Sequence, residues 1–282
     1  MMFKKIKSYI KDLIITAIRL LSLTSLGRFL SKNLVLEAMD KKITVNHKGQ
    51  SLTFSTPNTL NIYRANSFSS KEPETLEWID AFEEGSVFWD VGANVGLYSC
   101  YAAARCNCKV IAFEPSVFNL ELLARNIVNN DQVNNISILP LAISNKEAQS
   151  LMSLTTKEWG GALSTFGETY GQDGKELKVD FAYGTFGLRL DSVVDFFQLK
   201  PPRYLKIDVD GIEHLILKGG SRVLADIEEV LIEINEGFLE QSSISTKILT
   251  QHGFTLAVRG DAVLVEDSQS DQICNQIWVK EQ

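Results

Sequence analysis

The chain has 282 residues, 45% hydrophobic and 22% charged, so it can bury a sizeable core and is not expected to be disordered. Its formal net charge is −7, but residues 1–32 carry seven Lys/Arg and one acid, which leaves −13 on residues 33–282. A body this acidic excludes nucleic acid as a general partner. The four cysteines form no CxxC pair and no disulfide framework, which favours a cytoplasmic location.

The first 32 residues predict a basic amphipathic helix. Apolar residues from Ile6 to Leu21 recur at helical spacing, and the lysines lie mostly off that stripe. Asp12 and Arg19 interrupt the apolar run, so neither a signal peptide nor a membrane-spanning helix is expected. The commoner outcome for such a helix is docking of its apolar face on the domain. The alternative is an interfacial helix on anionic lipid, peripheral to the inner face of a membrane.

Residues 1–75 are predicted to form a cap that joins this helix to a β-hairpin, and residues 76–282 a larger domain. The hairpin is indicated by KKITVNHKGQSLTFST, which alternates on both sides of a turn near Gly49. The segment KEPETLEWIDAFEEGS then predicts a helix with Pro73 near its start and an end near Gly85.

Beyond residue 85, apolar runs alternate with helical patterns. The runs are SVFWDV, KVIAFE, NISILPLAI, RYLKIDV and EVLIEIN. Apolar strands separated by helices predict an α/β fold with a mostly parallel sheet covered on both faces. Residues 145–190 break the rhythm with loops and an extra strand, and GFTLAVRG, DAVLVED and NQIWVK predict final strands with an antiparallel hairpin. Ligands bind such sheets at the carboxyl ends of the strands, so the motifs found there are the candidate site.

The segment VFWDVGANVGLYS, residues 87–99, runs from an apolar strand into Asp90, Gly92, Asn94 and Gly96, and a helix follows at once. Glycines permit a tight turn and a close backbone approach, and the free N–H groups of a helix start attract negative charge. The D-x-G-x-x-x-G spacing differs from the dinucleotide fingerprint and favours a smaller anion, such as the carboxylate of an amino-acid-like cofactor. Glu114 ends the next strand and is positioned to accept hydrogen bonds from the ribose hydroxyls of a cofactor.

The segment YLKIDVDGIEHLILKGG crowds acidic residues at the end of another apolar strand. Asp208 is expected at the strand end, and Lys206 points to the same side of the strand, where it can pair with Asp208 or orient a substrate oxygen. Asp210 and Glu213 have the spacing of a helix capping box, with Asp210 as the N-cap.

Together these motifs resemble the FkbM family of S-adenosylmethionine-dependent methyltransferases. The matching stretches are D-V-G-A-N-x-G at 90–96, F-E-P at 113–115, A-I-S at 142–144, K-I-D-V-x-G-x-E at 206–213 and L-K-G at 217–219. The resemblance implies a Rossmann-like class I methyltransferase fold, with a mostly parallel seven-stranded sheet and a terminal β-hairpin. It also implies methyl transfer, usually to a hydroxyl of a glycan or secondary metabolite. This chain departs from the family at Asp210, where the family usually has Glu.

The resemblance assigns residues to three parts of S-adenosyl-L-methionine: Asp90, Gly92, Asn94 and Gly96 to the methionine part, Glu114 to the ribose, and Ala142 and Ile143 to the adenine. A hydroxyl acceptor needs a base or an orienting group, and Asp208, with Lys206 beside it, is the first choice. The alternative is that Asp208 only accepts hydrogen bonds from the turn. A nicotinamide oxidoreductase and a nucleotide-binding sensor without methyl transfer are the competing functions.

Four further features are left open by the sequence. A Mg²⁺ ion shared between the acidic cluster and Glu233 or Glu236 is an alternative that no motif supports. His214 is predicted on a helix surface. Trp159 and Phe166, in the irregular region, are candidates either for a lid over the acceptor or for the core. No sequence feature indicates an oligomeric state.

Overall fold

The structure, a computed structural model, describes residues 2–260 and 272–280, without the side chains of residues 2–5, 7 and 8. Its helices are α1 Met2–Leu21, α2 Ser25–Met39, α3 Thr59–Asn66, α4 Pro73–Asp80, α5 Leu97–Cys106, α6 Val117–Asn129, α7 Leu190–Phe197, α8 Glu213–Lys218, α9 Ser221–Asp226 and α10 Leu239–Gln251. Its strands are β1 Lys42–His47, β2 Gln50–Ser55, β3 Val87–Val91, β4 Lys109–Phe113, β5 Ile136–Leu139, β6 Ala142–Ile143, β7 Ala148–Leu154, β8 Ser164–Phe166, β9 Phe181–Leu188, β10 Tyr204–Ile207, β11 Glu229–Asn235, β12 Phe254–Arg259 and β13 Ile273–Lys280.

Seven of the described strands form one sheet in the order β12-β13-β11-β10-β3-β4-β5. The strands from β11 to β5 are parallel, whereas β13 pairs antiparallel with both β11 and β12. The predicted mostly parallel seven-stranded sheet with a terminal hairpin is therefore confirmed. The predicted strand DAVLVED lies outside the described residues. The strand order reverses between β3 and β10, so the switch point, where ligands bind in such sheets, lies between these two strands.

Each face of this sheet packs against its own set of helices. Trp89, Leu205 and Ile232 face a core shared with α7–α10, whereas Phe88 and Leu231 face a core shared with α4–α6 and the hairpin β1-β2. Because side chains alternate along a strand, every second residue of β3, β10 and β11 belongs to the same face. The hairpin predicted around Gly49 is confirmed, with β1 and β2 antiparallel.

Three predicted elements differ in detail. The apolar run 135–143 is two strands, because Pro140 lacks the N–H needed to continue the ladder. The helix predicted over 213–226 is split into α8 and α9 at Gly219 and Gly220, which are poor helix formers. Residues 142–188 contribute a further four-stranded sheet, β6-β9-β7-β8, of which the sequence predicted the extra strand β9 and, within the run 135–143, β6.

The expectation that the N-terminal helix docks its apolar face on the domain is wrong for the residues described. Ile10, Leu13, Ile14 and Leu20 are 52%, 67%, 53% and 62% exposed, and α1 packs against α2 instead. Between them, these two helices bury only Gly27 and Met39 among the described side chains. Within residues 2–260 and 272–280, no helix combines the length and apolarity that crossing a membrane requires.

The turns after β3 and β10 touch at the switch point. Gly92 has a φ of +85°, and a Cβ placed on it would lie 1.8 Å from the backbone oxygen of Asp208. Only glycine satisfies both the left-handed backbone and this close approach. Gly92 therefore sets how closely the two halves of the sheet bring their site residues together.

We expect Gly92→Ala to lower the free energy of unfolding by about 1–2 kcal/mol for the left-handed conformation and a further ~1–3 kcal/mol for the forced backbone shift. Gly85→Ala is the matched control, because Gly85 has a φ of +76° and a Cβ added to it would have no neighbour within 4 Å. Urea unfolding of both variants measures the difference. Equal losses would show that the contact with Asp208 contributes nothing.

Candidate functional site

Two cavities meet at the carboxyl ends of β3 and β10. The narrow one measures about 60 Å³ and the wide one about 400 Å³. The residues that line both are Gly92, Asn94, Ala162, Asp208 and Asp210. The wide cavity has the size of an ordinary ligand pocket, whereas the narrow one is far below that range of about 300–1,000 Å³.

The narrow cavity lies beside the end of β4 and the segment after β5. Leu141, Ala142 and Ile143 are buried next to Phe113 and form an apolar slot, and Glu114 lines the same cavity. The structure thus brings together the three residues that the sequence assigned to adenine and ribose. Their contact with a cofactor stays a prediction.

Glu114 is held by the two turns that flank the narrow cavity. Its Oε2 accepts a hydrogen bond from the backbone N–H of Asn94 at 2.7 Å, and its Oε1 accepts one from Ser116 N–H at 2.7 Å. The residue is only 4% exposed. Burial raises the pKa of Glu114 to about 8, against the opposing effect of these two hydrogen bonds.

The glycine turn presents polar atoms at the junction of the cavities. Asn94 has a φ of +50°, and its Nδ2 donates to Gly161 O at 3.0 Å while its Oδ1 is buried without a partner among the described residues. A buried acceptor without a donor is costly, so this oxygen fits an N–H group of a ligand. Gly96 lines neither cavity. It caps α5, where a Cβ would lie 2.3 Å from Leu123 Cδ1.

Asp90 lies in the floor of the wide cavity, apart from the apolar slot. Its Oδ2 accepts a hydrogen bond from Ser99 Oγ at 2.5 Å, and its Oδ1 has no partner among the described residues. Burial raises the pKa of Asp90, and the nearby Lys206 ammonium opposes that effect. Asp90 therefore shares the wide cavity with Gly92 and Asn94 but does not line the narrow cavity with Glu114, Ala142 and Ile143.

Lys206 and Asp208 form the predicted pair. Lys206 is 1% exposed, and its Nζ lies 2.6 Å from Asp208 Oδ2 and 5.3 Å from the centre of the Tyr98 ring. Burial lowers the pKa of Lys206, but Asp208, Asp90 and Glu72 outweigh it and raise the pKa above its usual value. Desolvation likewise raises the pKa of Asp208, and Lys206 reverses this and holds it below the usual range. Asp208 is thus ionised at neutral pH.

The predicted capping box is wrong in its N-cap. Asp210 has a φ of +63° and accepts a hydrogen bond from Ser164 N–H at 3.2 Å, while Ile212 occupies the N-cap of α8. Glu213 does reach back, because its carboxylate accepts from the backbone N–H groups of Val209 and Gly211. Burial raises the pKa of Asp210 to about 6 and that of Glu213 to about 7. Both acids hold the turn in shape.

A wall of the wide cavity comes from residues before α4 that sequence reasoning missed. Arg64 on α3 donates from Nε and Nη2 to Gly160 O at 3.2 and 2.7 Å. Lys71 Nζ pairs with the buried Glu72 at 2.6 Å, and both line the cavity. The only sequence signal was the presence of basic residues on a predicted cap, which does not say which way they face.

The segment 159–164, which we call the strap, crosses the junction of the two cavities. The oxygen of Gly161 accepts hydrogen bonds from the side chains of Asn94 and Asn119 at 3.0 and 3.1 Å, and Trp159 O accepts from Asn61 at 2.7 Å. The strap is therefore fastened both to the glycine turn and to α3. Its passage over the apolar slot explains why the narrow cavity is small.

The remaining predicted residues lie in varied surroundings. Phe166 is buried in the core and lines the narrow cavity, whereas Trp159 is half-buried and packs beside Met39. The expectation that His214 is on a helix surface is wrong, because it is 1% exposed and burial lowers its pKa to about 4. Glu236 pairs with Arg259 at 2.8 Å. Across residues 2–260 and 272–280, no three His, Cys, Asp or Glu side chains are grouped to hold a metal ion.

The raised pKa of Glu114 predicts a pH dependence of stability. Between about pH 5 and pH 8 the folded state binds a proton that the unfolded state has released, so the free energy of unfolding falls as pH rises. We expect wild type to lose up to about 1.4 kcal/mol per pH unit relative to Glu114→Gln across this window. Denaturant unfolding at several pH values measures this slope, and parallel curves for the two proteins would contradict the raised pKa.

Comparison with known proteins identifies related methyltransferases. The model of the methyltransferase FkbM domain matches residues 90–257. The hexuronic acid methyltransferase AglP of Haloferax volcanii is 24% identical over 208 residues, which cover 71% of this chain and 80% of that protein. The AMB antimetabolite synthetase AmbE of Pseudomonas aeruginosa is 26% identical over 215 residues, which cover 64% of this chain but only 10% of that much longer protein.

Solved structures show distant similarity. The FkbM methyltransferase of Methylobacillus flagellatus KT is 14% identical with a TM-score of 0.47, covering 78% of this chain and about half (53%) of that one. A tRNA (m1A22) methyltransferase described as putative, from Streptococcus pneumoniae in complex with S-adenosyl-L-methionine, is 16% identical with a TM-score of 0.42, covering 74% and 73%. The family match spans more than half of the chain, from the glycine turn to β12. The chain therefore belongs to the FkbM family of methyltransferases.

Proposed function

We propose that this protein transfers a methyl group from S-adenosyl-L-methionine to a hydroxyl group of a sugar acid. The observation that carries the proposal is the junction of the two cavities. A slot suited to a nucleoside, with Glu114 in it, opens at Gly92 and Asn94 onto a wide cavity that contains Asp208. A donor in the first and an acceptor in the second would meet at the carboxyl ends of β3 and β10.

The described residues fit the cofactor. Ala142 and Ile143 offer a small apolar surface to adenine, and Glu114 offers the oxygens of its carboxyl group to the ribose hydroxyls. The left-handed Gly92 and the unpartnered Asn94 Oδ1 suit the amino-acid part, which carries both an N–H donor and an anion. When bound, S-adenosyl-L-methionine supplies an electrophilic methyl group on a sulfonium.

Entry of the cofactor requires movement of the strap. The narrow cavity of about 60 Å³ holds no nucleoside while Gly161 lies over it. Asn94 and Asn119 hold the strap by three hydrogen bonds, the third from Gly160 N–H to Asn119 Oδ1 at 3.1 Å. Opening also breaks the two charge-assisted hydrogen bonds from Arg64 to Gly160 O. A neutral hydrogen bond is worth about 1 kcal/mol net and one to a charged group about 1.5–3 kcal/mol, and the binding free energy of a cofactor has to supply this cost.

The ionised Asp208 orients the acceptor. A carboxylate accepts a hydrogen bond from a hydroxyl but releases a proton readily when its pKa is low, so Asp208 is a poor general base and a good positioning group. Lys206 keeps it ionised and fixes its direction at 2.6 Å. Asp208 thereby holds an acceptor oxygen near the junction, which deepens the role expected from the strand motif.

The acceptor class follows from the polarity of the wide cavity. It is lined by the acids Asp208 and Glu233 and, from the proposed cap of residues 1–75, by the bases Arg64 and Lys71. Arg64 Nη1 makes no hydrogen bond or ion pair within the described ranges 2–260 and 272–280. A sugar acid would direct hydroxyls to the two acids and its carboxylate to Arg64. The activity named for the AglP relative, on a hexuronic acid, supports this class.

We expect Arg64→Ala to raise KM for methyl β-D-glucuronide about 10- to 100-fold more than KM for methyl β-D-glucoside, because a charge-assisted hydrogen bond is worth about 1.5–3 kcal/mol. Initial rates with isotope-labelled cofactor, with the product position read by mass spectrometry, give the ratio. Loss of the contact between Arg64 and the strap would affect both sugars alike, so only the ratio reports carboxylate binding.

Arg125→Ala is the control, because Arg125 is only partly buried on α6 and lines neither cavity. Equal effects on both sugars would overturn the sugar-acid class and leave methyl transfer intact. Binding of S-adenosylhomocysteine without transfer to either sugar would instead favour the cofactor-sensing alternative. Failure to bind S-adenosylhomocysteine would overturn the proposed function as a whole.

We propose also that α1 and α2 lie on an anionic membrane surface. Their apolar residues are exposed, and Lys11 and Arg19 are exposed without an ion pair among the described residues. Apolar and basic side chains on one helix fit the interface of a bilayer with negatively charged lipid, where the helix lies flat. The four unpaired cysteines support a reducing compartment, as expected for the cytoplasmic side.

We expect the double variant Lys11→Glu/Arg19→Glu to sediment several-fold less with vesicles of phosphatidylcholine and phosphatidylglycerol than wild type does, and binding of wild type to weaken with salt. Lys178→Glu/Lys247→Glu makes the same change in net charge on exposed residues of the body and is the control. Equal sedimentation of both variants, or self-association of wild type without vesicles, would contradict the assignment of these helices to lipid.

A further inference from the structure

Glu233 lies beside Asp208 on the polar floor of the sheet. In the parallel pairing of β10 with β11, Lys206 is opposite Leu231 and Ile207 opposite Ile232, so the next positions in register are Asp208 and Glu233. Lys206 and Leu231 point to the same face of the sheet, and by alternation so do Asp208 and Glu233. The two carboxylates therefore approach the wide cavity from adjacent strands.

One oxygen of Glu233 is held and the other is open. Oε2 accepts a hydrogen bond from Gln172 Nε2 at 2.5 Å, and Gln172 O in turn accepts from Asn235 Nδ2 at 3.0 Å, which ties the loop to the end of β11. Oε1 makes no hydrogen bond among the described residues and is not among their buried unpartnered atoms. Since Glu233 and Gln172 both line the wide cavity, Oε1 is open to a molecule bound there.

Glu233 is surrounded by acidic side chains, whereas Asp208 is in contact with a lysine. Desolvation and then the charges of Asp208, Asp210, Glu213 and Glu72 raise the pKa of Glu233 well above its usual value. No Lys or Arg forms an ion pair with it among the described residues, whereas Lys206 contacts Asp208 directly. Two neighbouring carboxylates in such different surroundings suit different tasks, the first remaining charged and the second holding a proton more tightly.

We infer that Glu233 accepts the hydroxyl proton of the acceptor during methyl transfer, while Asp208 holds the acceptor oxygen in position. The inference rests on the proposed function. As the oxygen–methyl bond forms and the methyl–sulfur bond breaks, the sulfur keeps the electron pair of the broken bond and becomes a neutral thioether. The proton of the hydroxyl passes to Glu233 Oε1, and it leaves to water when the product departs. No further reactant is needed for balance.

This role predicts that turnover decreases at low pH. Glu233 accepts a proton only when it is ionised, so turnover falls as pH drops through its pKa, which lies well above 4.5. Removing the Asp208 charge lowers the pKa of Glu233 and moves this acid limb to lower pH. If Glu233 only held Gln172 in place, its titration would produce no such fall of turnover at low pH.

The test compares Glu233→Gln, Glu233→Asp and Asp208→Asn, with methyl β-D-glucuronide and labelled S-adenosyl-L-methionine. We expect Glu233→Gln to lower kcat by about 10²- to 10⁴-fold and to lose the acid limb, with unchanged affinity for S-adenosylhomocysteine. Glu233→Asp should keep part of kcat together with the limb. Asp208→Asn should lower kcat and shift the limb to lower pH. A Glu233→Gln enzyme with kcat within about threefold of wild type, or with its limb intact, would overturn the inference.

A second measurement needs no acceptor. The carboxyl stretching band in the infrared difference between wild type and Glu233→Gln, titrated with S-adenosylhomocysteine bound, should show a protonation midpoint well above 4.5. An ordinary midpoint would overturn the inference even if methyl β-D-glucuronide is not a substrate, a result that counts against the proposed acceptor alone. Glu236→Gln is the control, because Glu236 is exposed near the same strand end and pairs with Arg259, so its variant should keep the activity of wild type.

Discussion

The site depends on one buried cation. Moving an ammonium group out of water costs several kcal/mol unless it is paired, and Lys206 is 1% exposed in the floor of the sheet. Asp208 at 2.6 Å, the Tyr98 ring and the nearby Asp90 and Glu72 together stabilise its charge. Lys206 in turn keeps Asp208 ionised. The position of this lysine therefore determines where negative charge is held at the switch point.

The contact between Lys206 and Asp208 also explains why we propose different roles for Asp208 and Glu233. Asp208 follows β10 and Glu233 lies in the adjacent β11, on the same face of the sheet, yet only Asp208 contacts the lysine. The pKa of Asp208 is lowered and that of Glu233 is raised. In the mechanism that we propose, one carboxyl group therefore keeps a fixed charge and the other accepts a proton. Burial raises the pKa of both carboxyl groups, and the contact with the Lys206 ammonium reverses that effect for Asp208 alone.

The part of the wide cavity that carries Arg64 and Lys71 comes from a different part of the chain than Asp208 and Glu233 do. Arg64 and Lys71 precede residue 90, where the family match begins, whereas Asp208 and Glu233 lie within it. The strap is fastened to both, through Gly160 to Arg64 and through Gly161 to Asn94. In the function that we propose, the basic part of the acceptor site therefore comes from outside the family match. The strap contacts both parts of the site, because it accepts hydrogen bonds from Arg64 and Asn94.

The sequence by itself determined the sheet, its order of strands and helices, and the motifs at strand ends, because apolar periodicity and glycine turns are local signals. It also placed Lys206 and Asp208 on one side of a strand, since alternation is a property of the strand alone. Tertiary structure alone decided that Glu233 lies beside Asp208, that Arg64 lines the same cavity, and that His214 is buried. These facts depend on strand register and on how distant segments pack, and no short stretch of sequence encodes either one. The shifted pKa values follow from that packing, so they too were beyond the reach of the sequence.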